Sequence, residues 1–120
     1  MRTRRLLVTN VTRGKTLADS LEVADTFLKS LIGLIGQSSL RKGQGLWINP
    51  CQSVHTFWMR FPIDVLFLDQ KGVVVDVIES MKPFRISKHF WKARSVLELP
   101  AASVRESSTQ AGDLIEFSHD

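Results

Sequence analysis

Residues 51–69 hold an unusual concentration of side chains able to do chemistry. The chain's one cysteine (Cys51), one of its three histidines (His55), one of its three methionines (Met59) and two of its twelve acids (Asp64 and Asp69) fall within this stretch. Cys51 and His55 lie four residues apart, a spacing that puts both on one side of an extended strand or on one face of a helix. Three chemistries fit. A soft-metal site would use the Cys51 thiolate, the His55 imidazole and the Met59 thioether for a cuprous ion, or Asp64 in place of Met59 for zinc. A thiol enzyme would pair Cys51 with His55 as nucleophile and base, with Asp64 orienting the ring and the His55 or Arg60 cation favouring the thiolate. A binding surface would be lined by Cys51, His55, Trp58, Met59, Arg60 and Asp64 and would take a small ligand or a protein partner.

The surrounding sequence weighs these against one another. There is no Cys-x-x-Cys, no paired-histidine motif and no glycine-rich oxyanion loop after Cys51. In the plainest reading Cys51 is a small buried hydrophobe, His55 hydrogen-bonds a backbone carbonyl, and Asp64 accepts from loop N–H groups. We therefore expect a ligand- or partner-binding surface over residues 51–64, with metal and thiol chemistry as alternatives. No cofactor is named by these residues, and catalysis is left open.

Sixteen Lys and Arg against twelve Asp and Glu leave a net charge of +4, placed unevenly. No acid occurs between Glu79 and Glu98, where Lys82, Arg85, Lys88, Lys92 and Arg94 alternate with Phe84, Phe90 and Trp91. Such a mixture suits nucleic acid or an acidic partner. The favoured expectation is a solvated loop whose aromatics tuck into the core, since no nucleic-acid module accompanies the pI of 9.6. Glu98 interrupts an apolar run and is expected to face outward or to pair with a base from residues 82–94. His89 has no distinguishing neighbour, and Asp113 reads as a turn residue.

The elements that must position these groups are short. Leu6 to Val11 and Thr16 to Ala24 read as a hairpin around Arg13-Gly14. Asp25 or Thr26 could cap a helix over about residues 25–35, with Phe27, Leu28, Leu31, Ile32 and Ile35 at helical spacing and Gly36 at its end. Leu46-Trp47-Ile48, Val65 to Leu68, Val73 to Ile78, Val96 to Leu99 and Leu114 to Phe117 are strand candidates. Asp69-Gln70-Lys71-Gly72 is a hairpin turn, and the second and third runs read as buried central strands. Ala101 to Ser108 suggests a brief helical turn. The fold class expected is α+β and mainly β: a barrel-like or strongly curved sheet of six to eight short strands with one principal helix. At 120 residues without repeats or linkers, residues 1–120 form one domain. The apolar run Leu6-Leu7-Val8 falls short of the about 7–15 residues of a signal peptide and the about 20 of a membrane span. A single free thiol fits a reducing, cytoplasmic setting without membrane insertion.

The chain resembles the domain of unknown function 192 family. The resemblance rests on Gly33-Leu34 and on Cys51-x-x-Val54-His55-Thr56-x-x-Met59-x-Phe61-Pro62-Ile63-Asp64-Val65-x-Phe67-Leu68-Asp69. It continues through Gly72-Val73-Val74, Pro83, Val96-Leu97-Glu98-Leu99-Pro100-Ala101 and Gly112-Asp113. It implies a compact β-rich fold, closed or nearly so, with one main helix, and it implies no agreed activity. Ser30, Ile35, Gln37 and Ala102 depart from the arginine, methionine, arginine and glycine usual at those positions in the family.

Overall fold

The alternation of apolar and polar residues after Arg5 produces the opening hairpin. In the computed structural model, which describes residues 3–4, 6–24 and 34–119, strand β1 (Thr3–Arg4) pairs with β3 (Lys15–Ala24), as does β2 (Leu6–Asn10). Strands β4 (Gly43–Ile48), β5 (Ile63–Leu68), β6 (Val74–Met81), β7 (Ser95–Pro100) and β8 (Ile115–His119) follow, with one short helix, α1 (Ser103–Ser107), before the last. The principal helix expected over residues 25–35 lies outside the described residues, apart from the turn at Leu34–Gly36.

The strand order is β6-β5-β7-β4-β3-β2-β8, antiparallel except for the parallel β3–β4 pair. The two ends of this order meet. Val73 bridges Leu114, and the Ile115 N–H donates to the Gly72 carbonyl at 2.9 Å. A side chain at Gly72 would place its Cβ 2.6 Å from the Ile115 oxygen, so this approach depends on glycine. The result is a curled, barrel-like sheet of mainly β class, as expected. The Val73 to Ile78 run departs from expectation. It forms β6 at one end of the order, with residues 75–78 only half-buried, because the hydrogen bonds to residues 112–115 on its outer side stop at Val74.

Strand β5 is buried at all six positions. Leu66 and Leu68 join the inner cluster with Val8, Leu21, Leu97 and Leu99. Ile63, Val65 and Phe67 point the other way, into a second cluster with Leu46, Val54, Met59 and Val96. Period-two alternation therefore places Asp64 on the side of Leu66 and Leu68. There, fully buried, its Oδ1 accepts the Ser80 N–H and its Oδ2 the Val104 N–H, both at 2.8 Å. Helix α1 begins at Ala102, which supplies no side-chain cap, so the Asp64 carboxylate satisfies an N–H of its first turn from a distance.

A second polar knot ties the first turn to the last. Asp113 is buried rather than a plain turn residue. It accepts from Asn10 Nδ2 at 3.0 Å, from Arg13 Nε at 3.0 Å and from the Gln110 N–H at 3.1 Å. The Arg13 guanidinium holds the Asp113 carboxyl below its ordinary range.

Replacing Asp64 by alanine leaves two N–H groups without their acceptor. At about 1–3 kcal/mol per orphaned group the expected loss is about 2–6 kcal/mol. Urea unfolding of Asp64→Ala measures it, and a loss within error of zero would contradict the clamp.

Candidate functional site

Because β5 has a core on both faces, its outer face must be covered, and residues 51–61 and 82–94 cover it. The two segments run antiparallel in an irregular ladder. The Cys51 N–H donates to the Arg94 carbonyl at 2.9 Å, Phe90 to Gln52 at 2.9 Å, Ser87 to Val54 at 2.9 Å and Thr56 to Arg85 at 2.8 Å. His55 and Ile86 form a bridge within it. Thr56 is the pin. Fully buried, it donates its hydroxyl to the Lys82 carbonyl at 2.6 Å and accepts the Arg85 N–H on the same oxygen at 2.9 Å. Its carbonyl takes the N–H groups of Met59 at 3.2 Å and Phe84 at 3.0 Å.

One side of this flap is dry and the other is wet. Val54, Met59 and Ala93 are buried in the outer cluster, and Phe90 packs on Phe67 with centroids 4.1 Å apart. Facing water are Trp58, Phe84, Ile86 and Trp91, at 69%, 53%, 71% and 81% exposure. The expectation that the aromatics of residues 82–94 tuck inward therefore holds for Phe90 and fails for Phe84 and Trp91. Trp58 and Phe84 both have left-handed backbone, φ 68° and 61°, which costs a bulky L-residue about 1–2 kcal/mol. They meet edge to face at 5.5 Å, and Phe57 stands 6.4 Å from Phe84. His55 stacks on Phe57 at 5.2 Å and completes the row.

The residues nominated for chemistry do not converge. Cys51 donates its thiol to the Ser53 carbonyl at 2.9 Å, and burial, reinforced by the nearby Glu98, pushes its pKa up. His55 uses Nδ1 to accept the Phe57 N–H at 3.3 Å, so neither of these side chains hydrogen-bonds the other. Met59 belongs to the outer core and Arg60 is exposed. Asp64 points to the opposite face of β5 and is held by Ser80 and Val104, so it does not orient His55. Among the described residues no three His, Cys, Asp or Glu side chains gather as metal ligands would. What the structure does bring together is His55, Phe57, Trp58 and Phe84, with Ile86 bridged to His55 and exposed, and Arg60, Lys82, Arg85 and Lys88 exposed on the same two segments.

Glu98 corrects a second expectation. It lies between Leu46 and Val65 in the sheet register, is buried, and neither faces outward nor pairs with a base among the described residues. Burial alone pushes its pKa to about 8. Its neighbours come from strands remote in sequence, so no local pattern signals this. Thr56 was equally inconspicuous, since a threonine has no chemistry that distinguishes a pin from a surface hydroxyl.

Known proteins share this fold. The sequence pattern of DUF192, described as "Uncharacterized ACR", matches residues 8–117. The chain belongs to the DUF192 family. A UPF0127 protein of Thermococcus gammatolerans is 32% identical over 116 residues, covering 92% of this chain and 74% of that one. A UPF0127 protein of Pyrococcus furiosus is 32% identical over 115 residues, covering 90% and 95%. The crystal structure of a Novosphingobium aromaticivorans protein of unknown function superimposes with a TM-score of 0.80 at 18% identity, over 92% of this chain and 82% of that one. That likeness shows that the DUF192 fold is shared. Among the described residues no helix is long and apolar enough to cross a membrane.

The Glu98 carboxyl yields a pH test. Its ordinary value is 4.5 and its folded value about 8, so between these the folded state keeps a proton that the unfolded chain has released. Stability then falls as pH rises through that window and levels off above it. Thermal melts from about pH 5 to about pH 9 should show this decline in the native chain and a flatter profile in Glu98→Gln. Parallel profiles would contradict a buried, protonated Glu98.

Proposed function

We propose that the domain is a binding module that docks an acidic protein segment on the wet side of the flap, across residues 51–64 and 82–92. The observation that supports this most is the row of exposed Trp58, Phe84 and Ile86 held on a hydrogen-bonded ladder. Apolar side chains exposed together, rather than singly, mark interaction surfaces, and tryptophan and arginine dominate the energetics of such contacts. Two left-handed aromatic residues add to the case, because strained backbone tends to be kept where it serves a function. The acid-free rim of Arg60, Lys82, Arg85 and Lys88 complements negative charge.

Two details favour a protein over a nucleic acid. Ile86, the most exposed of the three, has no face on which a base can stack. Trp58 and Phe84 turn edge to face against each other instead of presenting parallel faces at base spacing.

Peptide display against the folded domain tests the reading. Enriched peptides should carry acidic residues around an aromatic or aliphatic anchor, and Trp58→Ala should weaken them at least tenfold, about 1.4 kcal/mol. Peptides indifferent to both Trp58→Ala and Ile86→Ala would contradict it. So would single-stranded oligonucleotides that bind the flap more tightly than any peptide.

A further inference from the structure

Lys92 and Arg94 do not belong to the flap's aromatic row. They open instead onto a cleft on the flank of the barrel, beside the β5–β6 turn. The cleft has a volume of about 540 Å³ and includes Trp47, Lys71, Arg94, Glu116 and Phe117 in its lining. An adjoining hollow of about 430 Å³ shares Lys71 and Arg94 and adds Lys92. These volumes lie in the range of small-molecule sites.

Three features give the cleft a chemistry. Lys71 and Arg94 are exposed cations on its wall, and Lys92 is a third in the adjoining hollow. Of its two acids, Asp69 already accepts the N–H groups of Lys71 at 2.8 Å and Val73 at 3.0 Å through Oδ1. Glu116 is exposed on β8, beside Phe117. The opposite wall is apolar: Trp47 and Phe117 stack with centroids 4.1 Å apart and planes 20° from parallel.

The third feature is independent of charge. Trp47 Nε1 is the one buried side-chain nitrogen or oxygen among the described residues without a hydrogen-bond partner. An indole N–H donates and accepts nothing, so an acceptor brought by a ligand would satisfy it.

From the cations, the aromatic wall and the orphaned donor together, we infer that this cleft binds a small phosphorylated molecule bearing a ring or apolar part. The phosphate lies among Lys71, Lys92 and Arg94, where a guanidinium offers paired donors to its oxygens. The remainder of the ligand lies against the Trp47–Phe117 stack. This site lies at the base of the flap, away from its aromatic row, and stands whether or not that row docks a partner.

The experiment follows Trp47 emission in a Trp58→Phe/Trp91→Phe background, titrated with adenosine monophosphate, inorganic phosphate and citrate in parallel. Saturable change with adenosine monophosphate is expected, with weaker binding of inorganic phosphate and at least a tenfold loss in Arg94→Ala. Arg94 contributes its backbone N–H to the Leu68 carbonyl at 2.7 Å while its side chain is exposed, so this variant keeps that bond. Lys71→Ala, on an exposed turn, provides a second reading of the same loss. Citrate binding as tightly as adenosine monophosphate would overturn the phosphate assignment. Absence of saturation by all three, or affinity unchanged in both variants, would overturn the site.

Discussion

A strand with no wet face organises this molecule. All six residues of β5 are buried, and period-two alternation sends three of them into each of two cores. The inner core is closed by the curl of the sheet and by the bridge between its two ends. The outer core can be closed only by chain that is not part of the sheet, and residues 51–61 and 82–94 supply it. Burying a large apolar side chain is worth about 1.5–3 kcal/mol, so Ile63, Val65 and Phe67 give the covering flap a strong reason to stay down. The exposed aromatic row is a consequence: chain that must lie flat on one side can display side chains on the other.

Covering a core with irregular chain strands backbone polar groups, and the polar residues nearby answer that need. Thr56 serves five backbone groups across the two segments of the flap. Asp64 does the same work on the opposite face, where it satisfies Ser80 and the uncapped start of α1. Two residues separated by eight positions thus serve different cores. Glu98 is the exception, a carboxyl on the outer face that burial keeps protonated at neutral pH. The thiol of Cys51 sits in the same neutral surroundings, which suit a proton-bearing sulfur better than a thiolate.

Strand content was legible because each strand announces itself locally. The turn at Arg13-Gly14 and the turn ending at Gly72 needed no tertiary information, and neither did the fully apolar 65–68 run. The edge position of β6 was not legible, since a β-branched run looks alike whether one or two neighbours cover it. At the site, residues 51–64 stand out by composition alone, yet the spacing of Cys51 and His55 has meaning only on a regular backbone. The chain there is neither strand nor helix, so each side chain takes its own direction. Exposure of Trp58 and Phe84 was hidden for a similar reason: composition does not distinguish an aromatic in the core from one held outward by left-handed backbone. Thr56 and Glu98 act through partners far away in sequence, which no local pattern records.

The central claim is that the flap is an ordered, hydrogen-bonded cover whose apolar outer side is displayed by design of the fold. Amide hydrogen exchange of the native chain tests it most directly. The account predicts that the N–H groups of Thr56, Phe84, Arg85, Ser87 and Phe90 exchange slowly, approaching those of β5, although the side chains beside them are wet. Exchange at those five amides as fast as in an open loop would contradict it, and the aromatic row would then be a set of separate, unheld side chains.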